Sequence, residues 1–152
     1  MTELREQLKE AIRTGNIPDV RKYMDRIGEL DQYAMSEMLG IAAKCKSIKP
    51  LRVVMRYANT YPDITHRVNY ALHSACRAGN VKAARYLLDF GAKINYLDSA
   101  PIRTANRSGS IKLIELLVDR GAYEKGLSKK YKAHIRQRRM VALLLGSVST
   151  ES

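Results

Sequence analysis

The chain has 152 residues, of which 45% are hydrophobic, and a formal net charge of +12 at pH 7. This length suits one domain with its own core, and the composition is that of a globular protein. No apolar run approaches the roughly 18 residues of a membrane-spanning helix, and residues 1–6 lack the features of a secretory signal. We therefore expect a cytoplasmic protein, with the nucleus or a host cell as alternatives, in which Cys45 and Cys76 are free thiols.

Two short helical patterns separated by a turn recur four times along the chain. The units span about residues 3–31, 35–60, 69–95 and 99–122. The turn falls at Gly15 in the first unit, at Gly79 in the third and at Gly109 in the fourth. In the second unit Lys46 stands at this position, and Pro50 falls in the first turn of the following helix, where proline is tolerated.

The third and fourth units give the clearest internal match. Residues 79–81 align with residues 109–111, and residues 86–92 then align with residues 116–122 without a gap. Gly91 and Gly121 close the second helices of these units and favour a left-handed backbone there. Because one helix pair cannot bury its apolar face alone, the units are expected to stack into a solenoid.

Residues 71–95, ALHSACRAGNVKAARYLLDFGAKIN, resemble the ankyrin repeat. Leu72-His73-Ser74-Ala75 matches the Leu-His-x-Ala of that family, and Gly91-Ala92 matches the Gly-Ala pair after its second helix. The fourth unit has Ile102-Arg103 where Leu-His is expected. The resemblance covers about residues 3–122. It implies a protein-binding role and a structural, hydrogen-bonding role for the histidine.

The repeats and the resemblance together predict an all-α, ankyrin-like helix-turn-helix solenoid. Four repeats are expected in residues 1–126, followed by a basic C-terminal capping helix and tail in residues 127–152. Ser128 can cap this helix, and the apolar Met140–Leu145 are expected to cover the fourth repeat. Six cations form a secondary basic patch: Lys129, Lys130, Lys132, Arg136, Arg138 and Arg139. A nucleic-acid surface and a membrane-surface or targeting segment are the other interpretations of this segment.

The sequence contains no motif typical of catalysis or metal binding. A Gly-rich phosphate loop, a Gly-x-Ser-x-Gly elbow and a His-Glu-x-x-His pair are absent from the 152 residues. His66 and His134 have no cysteine or carboxylate at ligand spacing, and Cys45 and Cys76 have no CxxC companion. We expect no enzymatic activity, no cofactor and no metal.

In all four units, the residue two positions before the turn residue is basic. We call these residues the basic ladder: Arg13, Lys44, Arg77 and Arg107. The residues that follow them are small, which leaves the long side chains accessible: Thr14, Cys45, Ala78 and Ser108. The ankyrin resemblance implies that this position lies on the target-contact side. A second row, on the outer helices, begins with Arg21, Arg52 and Arg85 and is broken by Glu115.

The distribution of charge favours an acidic partner. Residues 1–31 carry six basic and seven acidic side chains, whereas residues 32–152 carry 21 and eight. We predict a non-catalytic protein-interaction module that binds an acidic protein surface through a basic concave face, as an adaptor or inhibitor of a partner or host protein. The basic ladder would supply charge-assisted hydrogen bonds, and Tyr70 and Tyr96 would supply contact area. The alternative is a nucleic-acid-associated protein that uses the ladder and the basic C-terminal helix.

Overall fold

The computed structural model describes residues 2–150, and the surroundings of side chains within residues 2–146. Within this range the chain forms nine α-helices, one short 3₁₀-helix and no strand. The helices are α1 (Thr2–Thr14), α2 (Ile17–Ile27), α3 (Gln32–Lys44), α4 (Lys49–Ala58), α5 (Ile64–Arg77), α6 (Val81–Phe90), α7 (Tyr96–Ser108), α8 (Ile111–Asp119) and α9 (Lys129–Thr150), and the 3₁₀-helix is Glu124–Gly126. The predicted all-α helix-turn-helix solenoid is confirmed.

The helices stack in two rows around one core. An inner row is formed by α1, α3, α5 and α7, each packed on the next, and an outer row by α2, α4, α6 and α8. Short connections force the two helices of each pair to run antiparallel. Each pair buries its apolar side between the rows, and the largest fully buried side chains are Leu8, Ile12, Met35, Met38, Leu39, Leu51, Met55, Leu72, Leu87, Ile102, Leu113 and Ile114.

The turns inside the pairs repeat one local design. Asn16, Asn80 and Ser110 begin three outer helices, and the side chain of each accepts a hydrogen bond from a backbone N–H of the first helical turn. Such caps satisfy one of the free N–H groups at a helix start. The predicted positive φ angles are confirmed at Gly79, Gly91, Gly109 and Gly121. The second pair departs from this pattern because α4 begins without a side-chain cap.

Hydrogen bonds at these turns also tie the second repeat to the first and the third to the second. The side-chain amide of Asn80 donates to the backbone oxygens of Ala43, at 2.9 Å, and Cys45, at 2.7 Å. The Cys45 thiol donates to the backbone oxygen of Ile12 at 3.3 Å. These contacts hold the C-terminal ends of neighbouring inner helices in a fixed order. Burial raises the pKa of the Cys45 thiol and raises that of Cys76 to about 12, so both stay protonated at neutral pH.

A tight left-handed turn opens α7. Leu97, Asp98 and Ser99 have φ angles of 48°, 52° and 62°, a conformation that costs an L-residue about 1–2 kcal/mol. The Arg103 guanidinium donates to the backbone oxygen of Leu97 at 3.1 Å. The backbone N–H of Ser99 donates to the backbone oxygen of Asn95 at 3.2 Å. The rest of the fourth repeat therefore holds this turn in place.

The first half of α9 packs on the fourth repeat. Leu127 and Ile135 are buried, Tyr131 is half-buried against the core, and the backbone N–H of Ser128 donates to the Asn106 side chain at 2.8 Å. The expectation that Met140–Leu145 cover the repeat is wrong, because their large side chains are exposed. The helix turns about 100° per residue, so the face that carries Ile135 is not the face that carries most of this apolar run.

Replacing Gly91 by Ala tests the left-handed close of α6. Gly91 has a φ of +117°, and an added Cβ would meet no atom within 4 Å. The backbone conformation alone should therefore lower the free energy of unfolding by about 1–2 kcal/mol, measured by urea denaturation. The matched control is Gly146→Ala inside α9, which should be neutral or stabilising because alanine favours a helix. Equal stability of the two variants would contradict the assigned turn.

Replacing Ile135 by Ala tests the cap. Ile135 is only 2% exposed, so its truncation should cost about 2–5 kcal/mol in the free energy of unfolding. The matched control, Leu144→Ala, removes a side chain of similar size from the exposed side of the same helix. It should change stability by less than about 0.5 kcal/mol. A larger loss at Leu144 than at Ile135 would reverse the assignment of the packed face.

Candidate functional site

Each residue of the basic ladder lies in the last turn of an inner-row helix. Arg13 belongs to α1, Lys44 to α3, Arg77 to α5 and Arg107 to α7, and all four are exposed. The structure thus brings them to one edge of the solenoid, next to the turns within the helix pairs. Cations at helix C-termini also interact favourably with the helix dipole, by about 0.3–1 kcal/mol each. The ladder therefore has a modest stabilising role apart from any binding.

Carboxylates accompany the first rung of the ladder. The Arg13 guanidinium lies 3.7 Å from the Glu10 carboxylate. Nearby, the Lys9 ammonium lies 2.9 Å from both Glu6 and Glu37, which links α1 to α3. The hydrogen bonds to Glu37 and Glu6 raise the pKa of Lys9. The positive potential of the first repeat is therefore partly neutralised.

An open groove nevertheless connects the first two rungs. Its volume is about 640 Å³, and its basic lining residues are Arg13, Lys44 and Lys46. The remaining lining is small or apolar and contains no carboxylate: Thr14, Gly15, Ile41, Cys45, Ser47 and Pro50. The small residues beside the ladder leave its long side chains accessible. The groove is wide enough to admit an acidic side chain of a partner.

Three arginines of the third and fourth repeats act on one histidine. Burial first, and then the charges of Arg77, Arg103 and Arg107, lower the pKa of the half-buried His73. Its Nδ1 lies 3.5 Å from the hydroxyl of Thr104. Within residues 2–146 none of the three arginines forms an ion pair with a carboxylate. Three exposed arginines without an ion-pair partner in the described part of the chain thus lie near enough to His73 to affect its pKa.

Arg103 is absent from the sequence-based set of site residues. It stands where the ankyrin pattern expects histidine, and it was interpreted as a departure from that pattern. Its spacing could have identified Arg103 as a site residue, because it lies four residues before Arg107 and therefore on the same face of α7. In the structure both are exposed.

An exposed aromatic ring lies on the same helix as His73. Tyr70 precedes His73 by three residues on α5 and is 48% exposed. Its ring lies against Gly40 of α3, where an added Cβ would come within 3.0 Å of Tyr70 Cε1. The absence of a side chain at Gly40 therefore leaves room for the ring against the second repeat. We call Tyr70, His73, Arg77, Arg103 and Arg107 the His73 cluster.

Tyr96 is placed differently from Tyr70. It is half-buried at the start of α7, before the left-handed turn at residues 97–99. Its hydroxyl makes no hydrogen bond with the described residues. The predicted contact role of Tyr96 stays a prediction.

The secondary basic patch of α9 divides into paired and unpaired cations. Arg138 binds the Asp119 carboxylate through two hydrogen bonds of 3.0 and 3.1 Å, and Arg139 pairs with Glu124. The hydrogen bond to Asp119 raises the pKa of Arg138. The other four cations form no ion pair within residues 2–146: Lys129, Lys130, Lys132 and Arg136. Two of the six cations therefore hold α9 to the solenoid.

Neither a metal-binding cluster nor a membrane-spanning helix is found in the described part of the chain. No group of three or more His, Cys, Asp or Glu side chains in this part is placed to hold a metal ion. Among the described helices, none combines the length and the apolar character that crossing a membrane requires.

The pKa of His73 provides a test of the cluster's electrostatics. It lies below the ordinary value of 6.5 in the folded chain, so the unfolded chain binds the proton more readily. The contribution of His73 to stability therefore falls as the pH drops below about 6.5 and levels off below the folded pKa. Arg107→Gln removes one nearby positive charge and should raise this pKa in an NMR titration of the imidazole ring. Arg52→Gln, on the outer row, should leave it unchanged; equal pKa shifts in both variants would contradict the cluster.

Two comparisons with known proteins bear on the family. A family model described as ankyrin repeats, in three copies, matches residues 38–127. Palmitoyltransferase AKR1 from Kluyveromyces lactis is 30% identical over 105 residues, a match that covers 63% of this chain and 14% of that protein. The chain thus matches a small part of this relative's length. The acyl transfer in the relative's name is an activity of that protein.

The matched range contains most of the second helix pair and all of the third and fourth. The first pair, α1 and α2, lies outside this range and stacks on the second in the same way. The family model covers more than half of the 152 residues. The chain therefore belongs to the ankyrin-repeat family, whose repeats are protein–protein interaction modules.

Proposed function

We propose that the chain is a non-catalytic binding module, cytoplasmic in location, that holds an acidic segment of a partner protein along the basic ladder. The His73 cluster is the centre of this surface. One observation carries the proposal: three exposed arginines without carboxylate partners in the described part of the chain surround one half-buried histidine. Binding of this kind suits an adaptor or an inhibitor.

The chemistry of the cluster favours carboxylates. Arginine presents a planar fork of N–H donors that matches a carboxylate with two parallel hydrogen bonds. Arg77 and Arg107 form no ion pair with an acid in the described part of the chain. Binding of a partner carboxylate would therefore break no existing ion pair. The flat ring of Tyr70 adds apolar contact area beside these charges. The charge of +12 would also accelerate the encounter with an acidic partner.

The spacing of the repeats limits the shape of the ligand. Neighbouring packed helices lie about 8–10 Å apart, so Arg77 and Arg107 present their charges at about that interval. A peptide in the polyproline II conformation has three residues per turn and advances about 3.1 Å per residue, so every third side chain lies on the same side at an interval of about 9 Å. An acidic residue at every third position would therefore match successive rungs. This spacing defines a suitable probe peptide.

Nucleic acid is the weaker alternative. Two of the six cations in the secondary basic patch are occupied by Asp119 and Glu124, and Glu10 accompanies the first rung of the ladder. Single-stranded nucleic acid is usually bound by a series of aromatic side chains on which successive bases stack. The His73 cluster contains one aromatic side chain, Tyr70. The available contacts therefore favour a protein ligand.

Binding of a labelled peptide with glutamate at every third position tests the proposal. Each charge-assisted hydrogen bond contributes about 1.5–3 kcal/mol, so the triple variant Arg77→Gln, Arg103→Gln, Arg107→Gln should bind more than about tenfold more weakly in fluorescence anisotropy. The matched control is Arg21→Gln, Arg52→Gln, Arg85→Gln, which removes the same charge from exposed positions on the outer row. Its affinity should fall far less.

Three outcomes would count against the proposed surface. An equal loss in the outer-row control would reduce the effect to net charge. Tighter binding of generic duplex DNA than of the peptide at about 200 mM salt, where phosphate contacts are strongly weakened, would favour the nucleic-acid alternative. A bound peptide that leaves the pKa of His73 unchanged in the NMR titration would place the contact elsewhere, since a nearby carboxylate should raise it.

A further inference from the structure

The second half of α9 exposes a group of large apolar side chains. Their exposed fractions lie between 50% and 72%, and the residues are Met140, Val141, Leu143, Leu144 and Leu145. Ile135, in the first half of the same helix, is 2% exposed. Exposed apolar side chains that are contiguous, rather than scattered singly, mark an interaction surface. The packed cap does not use this part of the helix.

The apolar side chains lie mainly on the side of α9 that faces away from the solenoid. Ile135 marks the packed side, and an α-helix turns about 100° per residue. Leu144 follows Ile135 by nine residues and so points about 180° away from it, and Met140 points about 140° away. Both side chains therefore face outward while Ile135 remains in the core.

The same outward side carries unpaired cations in the preceding turns. Arg136 lies four residues before Met140 and eight before Leu144, a spacing that places all three on one face. Lys129 and Lys130 precede Arg136 by seven and six residues, point about 120° and 140° away from Ile135, and are exposed. None of these cations forms an ion pair within residues 2–146, whereas Arg138 and Arg139 turn to acids of the solenoid. The outward face of α9 is therefore basic in the first half of the helix and apolar in the second half.

This combination fits an anionic lipid surface better than a second copy of the chain. Parallel pairing of two α9 helices would bring equal charges together in a protein with a net charge of +12. Residues 140–145 span only about 9 Å of helix, which is short for an interface of about 800 Å² on each partner. Surface-bound helices instead place apolar side chains at the acyl boundary and Lys or Arg at the headgroups.

We propose that the outward face of α9 attaches the solenoid to an anionic lipid surface. Met140 and Leu144 enter the boundary between headgroups and acyl chains. Lys129, Lys130 and Arg136 bind the lipid phosphates and carboxylates. The helix lies at the surface and does not cross the bilayer. This attachment is independent of the peptide site, because it uses no residue of the His73 cluster.

Co-sedimentation of the full chain with vesicles tests the attachment. The chain should bind phosphatidylcholine vesicles that contain about 30% phosphatidylserine, since anionic lipid attracts juxtamembrane Lys and Arg, and should bind pure phosphatidylcholine vesicles weakly. Met140→Gln with Leu144→Gln should reduce partitioning by about tenfold or more, because partitioning depends on buried apolar area. Lys129→Gln, Lys130→Gln, Arg136→Gln should also reduce it strongly.

A matched control separates this face from general charge. Lys44→Gln, Arg77→Gln, Arg107→Gln removes three charges from the basic ladder and should leave vesicle binding nearly unchanged. Equal losses in the α9 and ladder variants, or no binding to phosphatidylserine vesicles, would overturn the proposal. A dimer in sedimentation equilibrium that disappears in the Met140→Gln, Leu144→Gln variant would assign the face to a second copy and would also overturn it. Circular dichroism should show that all variants retain the helical fold.

Discussion

The structure depends on one constraint: a pair of short antiparallel helices cannot bury its apolar side without a neighbouring pair. Leu8, Leu39, Leu72 and Ile102 are fully buried in successive inner helices because each pair covers the next. The same stacking sets the distance between repeats, and the hydrogen bonds of Asn80 and Cys45 fix their order at the turns. A residue type that recurs at one repeat position therefore becomes a row on the surface.

The basic ladder is such a row, and its rungs are unequal. Near Arg13, the acids of α1 and α3 offset the positive charge. At the third and fourth repeats, Arg77, Arg103 and Arg107 meet no acid in the described part of the chain, and their combined field reaches His73. The pKa of His73, the histidine that matches the ankyrin pattern, therefore depends on the electrostatic potential of this surface.

The sequence predicted the features that local chemistry controls. Turn glycines, the small residues beside the ladder and the period of the apolar positions led to the helix pairs, the solenoid and the place of the ladder at the ends of the inner helices. The direction in which the side chains of Met140–Leu145 point was not predictable. Periodicity gives the positions of the helix faces relative to one another, whereas only the structure shows that the face of Ile135 is the packed one. The pairing of Arg138 with Asp119 likewise depends on how α9 docks.

The left-handed turn at residues 97–99 has a consequence for the order in which the solenoid opens. Stability in a repeat protein is nearly a sum of units and their interfaces, and three positive φ angles reduce what the fourth unit contributes. No further helix pair follows this unit in the described part of the chain, where the 3₁₀-helix packs on α7 and α9 packs on α8. Fraying should therefore begin at the C-terminal end and proceed toward α1. Any ligand that immobilises α9 would slow it.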